Sequence, residues 1–145
     1  MLILSAIGCG LIAITVVIHA IGTTAWVEKI RAIFGDRPIA GRDAIVILIF
    51  SALIVFLLHA LEIVVWAVAY MALVPDAELA TFEEAVYFSF VTFTTLGYGD
   101  ITLSEGFRLL SGIEALNGII LVGWTTAMIF AVVQRIWHSL ANEEQ

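Results

Sequence analysis

The sequence predicts an all-α membrane protein. Three helices span the bilayer, and a shorter re-entrant helix with an irregular loop lies between the second and third. Three observations carry this. First, the chain has 145 residues, of which 62% are hydrophobic and 13% charged, where a soluble domain carries about 25% charged residues. The mean hydropathy is +1.09. Second, three apolar runs are long enough to cross a hydrocarbon core of ~30 Å, which takes about 20 helical residues. Third, a short helical segment runs into a Gly-Tyr-Gly that no helix continues.

The first span occupies residues 1–27. Leu2 to Trp26 contains no Asp, Glu, Lys or Arg. It reads as a spanning helix or signal-anchor rather than a cleaved signal. It has no basic n-region, its apolar stretch exceeds the ~7–15 residues usual for one, and no small-x-small site stands clearly at its end. It has no regularly spaced arginines, so it is not a voltage sensor. Cys9 is the only cysteine; it reads as a small packing or lipid-facing residue, and no intrachain disulfide is possible.

Residues 28–43 form a basic connection with Lys29, Arg31, Arg37 and Arg42. The first helix is expected to continue to Phe34 and the chain to turn at Gly35-Asp36 and Arg37-Pro38. The positive-inside rule makes this connection cytoplasmic, where its bases can meet anionic lipid heads. The N-terminus is then outside and the C-terminus inside. The segment from Pro75 to Gly112 also falls outside. It carries Asp76, Glu78, Glu83, Glu84, Asp100 and Glu105 against Arg108 alone. Such a face concentrates cations, or it simply reflects that acidic segments translocate readily; the charge pattern alone does not decide between the two.

The second span, 44–74, holds one acid, Glu62, and the third, 109–138, holds Glu114. Between them, Thr81 and Glu84 form a capping-box pattern that starts a helix at Phe82. A helix over 82–94 is about 20 Å long, too short to span. It starts outside, so the chain must return outward to begin the third span on the correct side. Irregular backbone at membrane depth is tolerated only inside protein or beside a water-filled path. Gly97 and Gly99 can take positive φ at little cost. Alternated with Leu96 and Tyr98, they let successive carbonyls face one side. Neutral, closely spaced oxygens suit a weakly hydrated monovalent cation. No carboxylate cluster of the kind a tight divalent site uses is present.

Thr95-Leu96-Gly97-Tyr98-Gly99-Asp100 resembles the selectivity filter of tetrameric potassium channels, and the order helix, short helix, loop, helix is similar to their pore domain. The resemblance spans about residues 45–137. It implies a pore domain over 44–138, with outer helix 44–74, pore helix 82–94, filter 95–100, inner helix 109–138 and a tail over 139–145. It implies a homotetramer in the cell membrane, as in a bacterial inner membrane. Backbone carbonyls of Thr95, Leu96, Gly97 and Tyr98 would replace the hydration shell of K⁺, with the Thr95 hydroxyl added and Gly99 completing the loop. Asp100 matches the acid at the outer mouth, and Tyr87 an aromatic that bonds it. Val91 stands where some relatives carry a supporting glutamate. Leu96 replaces a commoner Val or Ile, and no proline follows the motif. Gly118 lies near the family's hinge glycine. Ile119, Val122, Thr126, Phe130 and Gln134 recur at helical spacing; they read either as residues packed on neighbouring helices or, as the resemblance implies, as a cavity-lining stripe with Phe130 the expected constriction. K⁺ is the permeant ion, and no cofactor and no nucleic-acid partner is implied. The alternatives are a weakly selective cation channel on the same fold and a non-conducting membrane subunit or sensor. An enzyme is disfavoured, since no nucleophile–base pair is apparent.

Some polar residues stand apart from this pattern. Ionisable groups inside spans are costly and take partners. Glu114 is expected near the loop's depth but behind any ion path, bonded to Asn117, Thr94 or a group of the short helix. His59 and Glu62 share a helix face at i, i+3, and His19 can meet them. That cluster reads as a static pair fixing helix register or as a pH-sensing triad. No second histidine follows at the spacing of a metalloprotease motif. Trp66 and Tyr70 are expected near the outer interface.

Overall fold

The computed structural model describes residues 2–35, 37, 39, 41–75 and 78–143, the last three by backbone alone. Asp36, Pro38, Asp76, Glu144 and Gln145 lie outside the described residues. Four helices follow one another: α1 (Leu2–Phe34), α2 (Gly41–Leu73), α3 (Phe82–Phe93) and α4 (Arg108–Glu143). Three of them, α1, α2 and α4, are long and apolar enough to cross a membrane. With α1 and α2 at 33 residues each, a rise of about 1.5 Å per residue gives ~50 Å, so both outrun the hydrocarbon core.

The ends have local causes. α1 runs past residue 27 because no breaker occurs before Gly35. There φ is +52°, and the Gly35 N–H closes the helix on the Arg31 carbonyl at 2.7 Å. α2 stops ahead of Pro75, with Val74 N–H on the Tyr70 carbonyl at 2.8 Å. α3 starts at the expected capping box: Glu84 N–H donates to Thr81 Oγ1 at 3.2 Å, and the Glu84 carboxylate accepts from Thr81 N–H at 3.1 Å. α3 ends one residue before Thr94, which is its C-cap. After the loop, the Ser104 carbonyl accepts from Phe107 and Arg108, and α4 begins.

Both α1 and α3 pack on α2 and α4, which also touch each other. The main core gathers Leu11, Ile63, Trp66, Tyr70, Phe93 and Leu121. A smaller one joins Ile30, Ile47, Val132 and Ile136 at the other end. Lipid is as apolar as leucine, so packing and interhelical hydrogen bonds decide which faces turn inward. Accordingly α1 buries Leu11, Thr15, His19 and Thr23, four residues apart, while Ile14, Val17 and Ile21 face out. Trp66 and Tyr70 are fully buried against the other helices. The Tyr70 ring meets Phe88 edge-on at 5.1 Å and its hydroxyl finds Glu114.

Candidate functional site

The loop after α3 carries the unusual backbone. Thr95, Gly97 and Gly99 have φ of +58°, +54° and +77°. Two glycines adopt this left-handed region freely, but a threonine there is costly. Thr95 is the departure from expectation, since its side chain gives no hint of positive φ. What holds it is the last turn of α3. Thr95 N–H donates to the Thr92 carbonyl at 2.9 Å, and Leu96 and Gly97 N–H converge on the Val91 carbonyl at 3.0 and 3.3 Å. In a trans peptide the C=O points opposite to the N–H. The carbonyls of Thr95 and Leu96 therefore point away from α3. No described residue donates to the carbonyls of Thr95 to Gly99. The Leu96 and Tyr98 side chains are exposed.

The end of the loop is fixed by Asp100. Tyr87 O–H donates to Asp100 Oδ2 at 2.6 Å, and Ile101 N–H to Oδ1 at 3.1 Å. The Tyr87 hydrogen bond holds the Asp100 carboxyl below its ordinary value. The same bond raises the Tyr87 phenol. A cavity of about 310 Å³ lies behind the loop, lined among others by Tyr87, Val91, Gly97 and Asp100. A longer side chain at Val91 would reach into that space. Thr94 turns its hydroxyl back to the Phe90 carbonyl at 2.8 Å, so it meets neither Glu114 nor the loop.

Behind α3, Glu114 is fully buried. Tyr70 O–H donates to it at 2.6 Å, and the Ser89 hydroxyl lies against its other oxygen. Ser89 also donates to the Ile63 carbonyl at 3.0 Å. One hydroxyl has one proton, so both contacts of Ser89 are satisfied when the Glu114 carboxyl itself donates to Ser89. Asn117 is not Glu114's partner. Its Nδ2 donates to Thr15 Oγ1 of α1 at 2.8 Å, because its side chain leaves α4 on the α1 side. Asn117 Oδ1 and Trp66 Nε1 are buried polar atoms without a protein partner among the described residues.

On α4, Ile119, Val122, Thr126, Phe130 and Gln134 all lie on an exposed face. Gly118 is buried, and its backbone abuts the end of α3. Elsewhere, the Glu62 carboxyl oxygens lie 2.9 Å from the Nδ1 atoms of His19 and His59, one on each. Thr125 lies on the far side of both imidazoles. His19 and Glu62 are fully buried.

Sequence reasoning overlooked Thr15, Ser89 and Thr125, and did not foresee the Tyr70–Glu114 bond. Thr15 had a signal, the i, i+4 run with His19 and Thr23. Ser89 had another, as the one hydroxyl amid Phe88, Phe90 and Val91. Thr125 had none that set it apart from Thr126.

Residues 44–135, which include α2, α3, the loop and most of α4, match the sequence model of a family described as ion channel. Comparison with curated proteins and with solved structures gave no match.

Proposed function

The chain belongs to this ion channel family, and from that premise we propose that four copies assemble around a pore that passes potassium in preference to sodium. Passive ion conduction follows from the family; selectivity and tetramer are our reading. The observation that carries it is the backbone of the loop. The N–H groups of Thr95, Leu96 and Gly97 are spent on α3, while the carbonyls of Thr95 and Leu96 point away unpaired. Peptide oxygens left unpaired in a membrane protein are costly unless water or an ion meets them. Carbonyls of Thr95, Leu96, Gly97 and Tyr98, with Gly99 as the turn above them, are a neutral oxygen set for K⁺.

One loop cannot enclose an ion, so several copies must contribute. The exposed face of α4 with Ile119, Val122, Thr126 and Phe130 then lines the cavity, and Phe130 narrows it. Asp100, held by Tyr87, stands at the mouth. In this reading α3 is a re-entrant pore helix entering from the outer side. The basic connection between α1 and α2 is cytoplasmic, as is the C-terminus, and the N-terminus is outside.

Purified protein in liposomes, loaded with potassium or sodium and assayed for cation flux, tests this. Potassium efflux well above sodium efflux is expected. Equal fluxes would reject selectivity, and no flux of either ion would reject conduction by this chain alone.

A further inference from the structure

Glu62, His19, Thr125 and His59 close a ring. Glu62 Oε1 meets His19 Nδ1 and Oε2 meets His59 Nδ1, each at 2.9 Å. On the other edge of the rings, Thr125 Oγ1 lies 3.3 Å from His19 Nε2 and 2.9 Å from His59 Nε2. The two imidazoles stack with centroids 5.3 Å apart. The four side chains come from α1, α2 and α4. α3 contributes the Phe93 ring, its centroid 5.7 Å from that of His59, and α4 adds Trp124, edge-on to His19. The other buried carboxyl group among the described residues, Glu114, is committed to Tyr70 and Ser89.

Counting protons around this ring gives one answer. An ionised Glu62 accepts from both Nδ1 atoms, so both imidazoles carry Nδ1–H. Thr125 has one proton and can donate to one Nε2 only. The other Nε2 would then face an oxygen lone pair, unless it too is protonated and donates to Thr125. Every contact is therefore satisfied with three protons shared among the four ring nitrogens and the Glu62 carboxyl. Moving one Nδ1 proton onto Glu62 keeps the count and the ring. With two protons the ring carries −1 and holds an acceptor–acceptor contact. With four it carries +1. With three it is neutral, the state a low-dielectric site favours.

We propose that this ring is a proton-binding site that holds one proton beyond those of a carboxylate and two neutral imidazoles, and that this proton fastens α1 to the ion channel domain. α1 lies outside residues 44–135, and its polar bonds to α2 and α4 include this ring and Asn117–Thr15, with Trp26–Ser51 nearer one end. The site is independent of which ion the pore passes.

Glu62→Gln is the informative variant. Its amide donates to one Nδ1 and accepts from the other Nδ1–H, so the ring closes with two protons on the imidazoles and none to lose. ¹⁵N solid-state NMR of the full chain in bilayers, with His138→Gln removing the third histidine, counts the protons. A carboxyl-sensitive infrared difference between wild type and E62Q completes the tally. Three protons in the wild type near neutral pH and two in E62Q are expected. Two or four in the wild type would overturn the site. So would a transition metal at one equivalent per chain in the purified protein, since the three side chains bring donor atoms within 4.8 Å of one another.

The fastening is read by thermal denaturation against pH. The wild type should lose more stability than E62Q as alkaline pH removes the proton, since the Glu114 carboxyl is common to both. A loss as large in E62Q as in the wild type, or an E62Q chain in which α1 no longer docks, would overturn it.

Discussion

Gly118 of α4 lies against the last carbonyl of α3: a Cβ at Gly118 would stand 1.9 Å from the Phe93 oxygen. The contact is backbone on backbone, so nothing there can rotate away. The glycine expected as a hinge is the point where α4 presses on the base of the loop. Gly118→Ala must push α3 and α4 apart. We expect weaker assembly and a large loss of ion flux. Gly123→Ala has nothing within 4 Å of its Cβ, and should be the milder change in the same two assays, thermal dissociation and liposome flux. A Gly118→Ala protein matching Gly123→Ala in both would refute the contact's importance.

At Gly97 the demand is conformational, since a Cβ there meets nothing within 4 Å but φ is +54°. Alanine in this region costs about 1–2 kcal/mol per chain. The loop already carries one such residue in Thr95, and a second should tip it into another conformation. Gly97→Ala should lower the potassium-to-sodium flux ratio toward unity. A mutant that keeps the wild-type ratio would remove the basis for the proposed filter.

Glu114 is held by Tyr70 and Ser89, and the amide of Glu114→Gln can make both bonds: its NH₂ donates to Ser89 and its oxygen accepts from Tyr70. Near-normal assembly and flux are expected. Glu114→Leu strands the Tyr70 hydroxyl in a buried site, at about 1–3 kcal/mol per chain. Comparing thermal dissociation of the two variants separates a bonded structural role from a charge on the ion path. A sharp loss of flux in the Gln variant with no loss of stability in the Leu variant would mean the charge matters.

Asp100 gives a pH prediction with a definite sign. Its folded-state value is depressed by the Tyr87 hydrogen bond. A depressed carboxyl contributes above its ordinary value, and the contribution is lost as pH falls through the lower, folded value. Tyr87→Phe removes the donor, so protonation of Asp100 should move up toward the ordinary carboxylate range. Acid on the mouth side should then reduce potassium flux at a higher pH in Tyr87→Phe than in wild type. Identical acid profiles would show that the bond does not govern Asp100.

The sequence by itself determined the spans, the capped short helix and the glycines of the loop. Each rests on local physics: twenty apolar residues need a bilayer, Thr81 and Glu84 cap within one turn, and positive φ favours glycine. It also pointed to Glu62 with His59, because i, i+3 neighbours share a helix face wherever the helix goes. Tertiary structure alone decided what those residues touch. Thr95 takes positive φ because three N–H groups of the loop are anchored on α3. Tyr70 turns inward because Glu114 and Phe88 wait there. Asn117 bonds α1 instead of Glu114, and Thr125, not its neighbour Thr126, closes the histidine ring. In a chain where almost every face is apolar, hydropathy cannot say which side of a helix is buried. Lipid and protein offer leucine the same environment, so the rotation of each helix is set by the few polar side chains that must find partners across the interface.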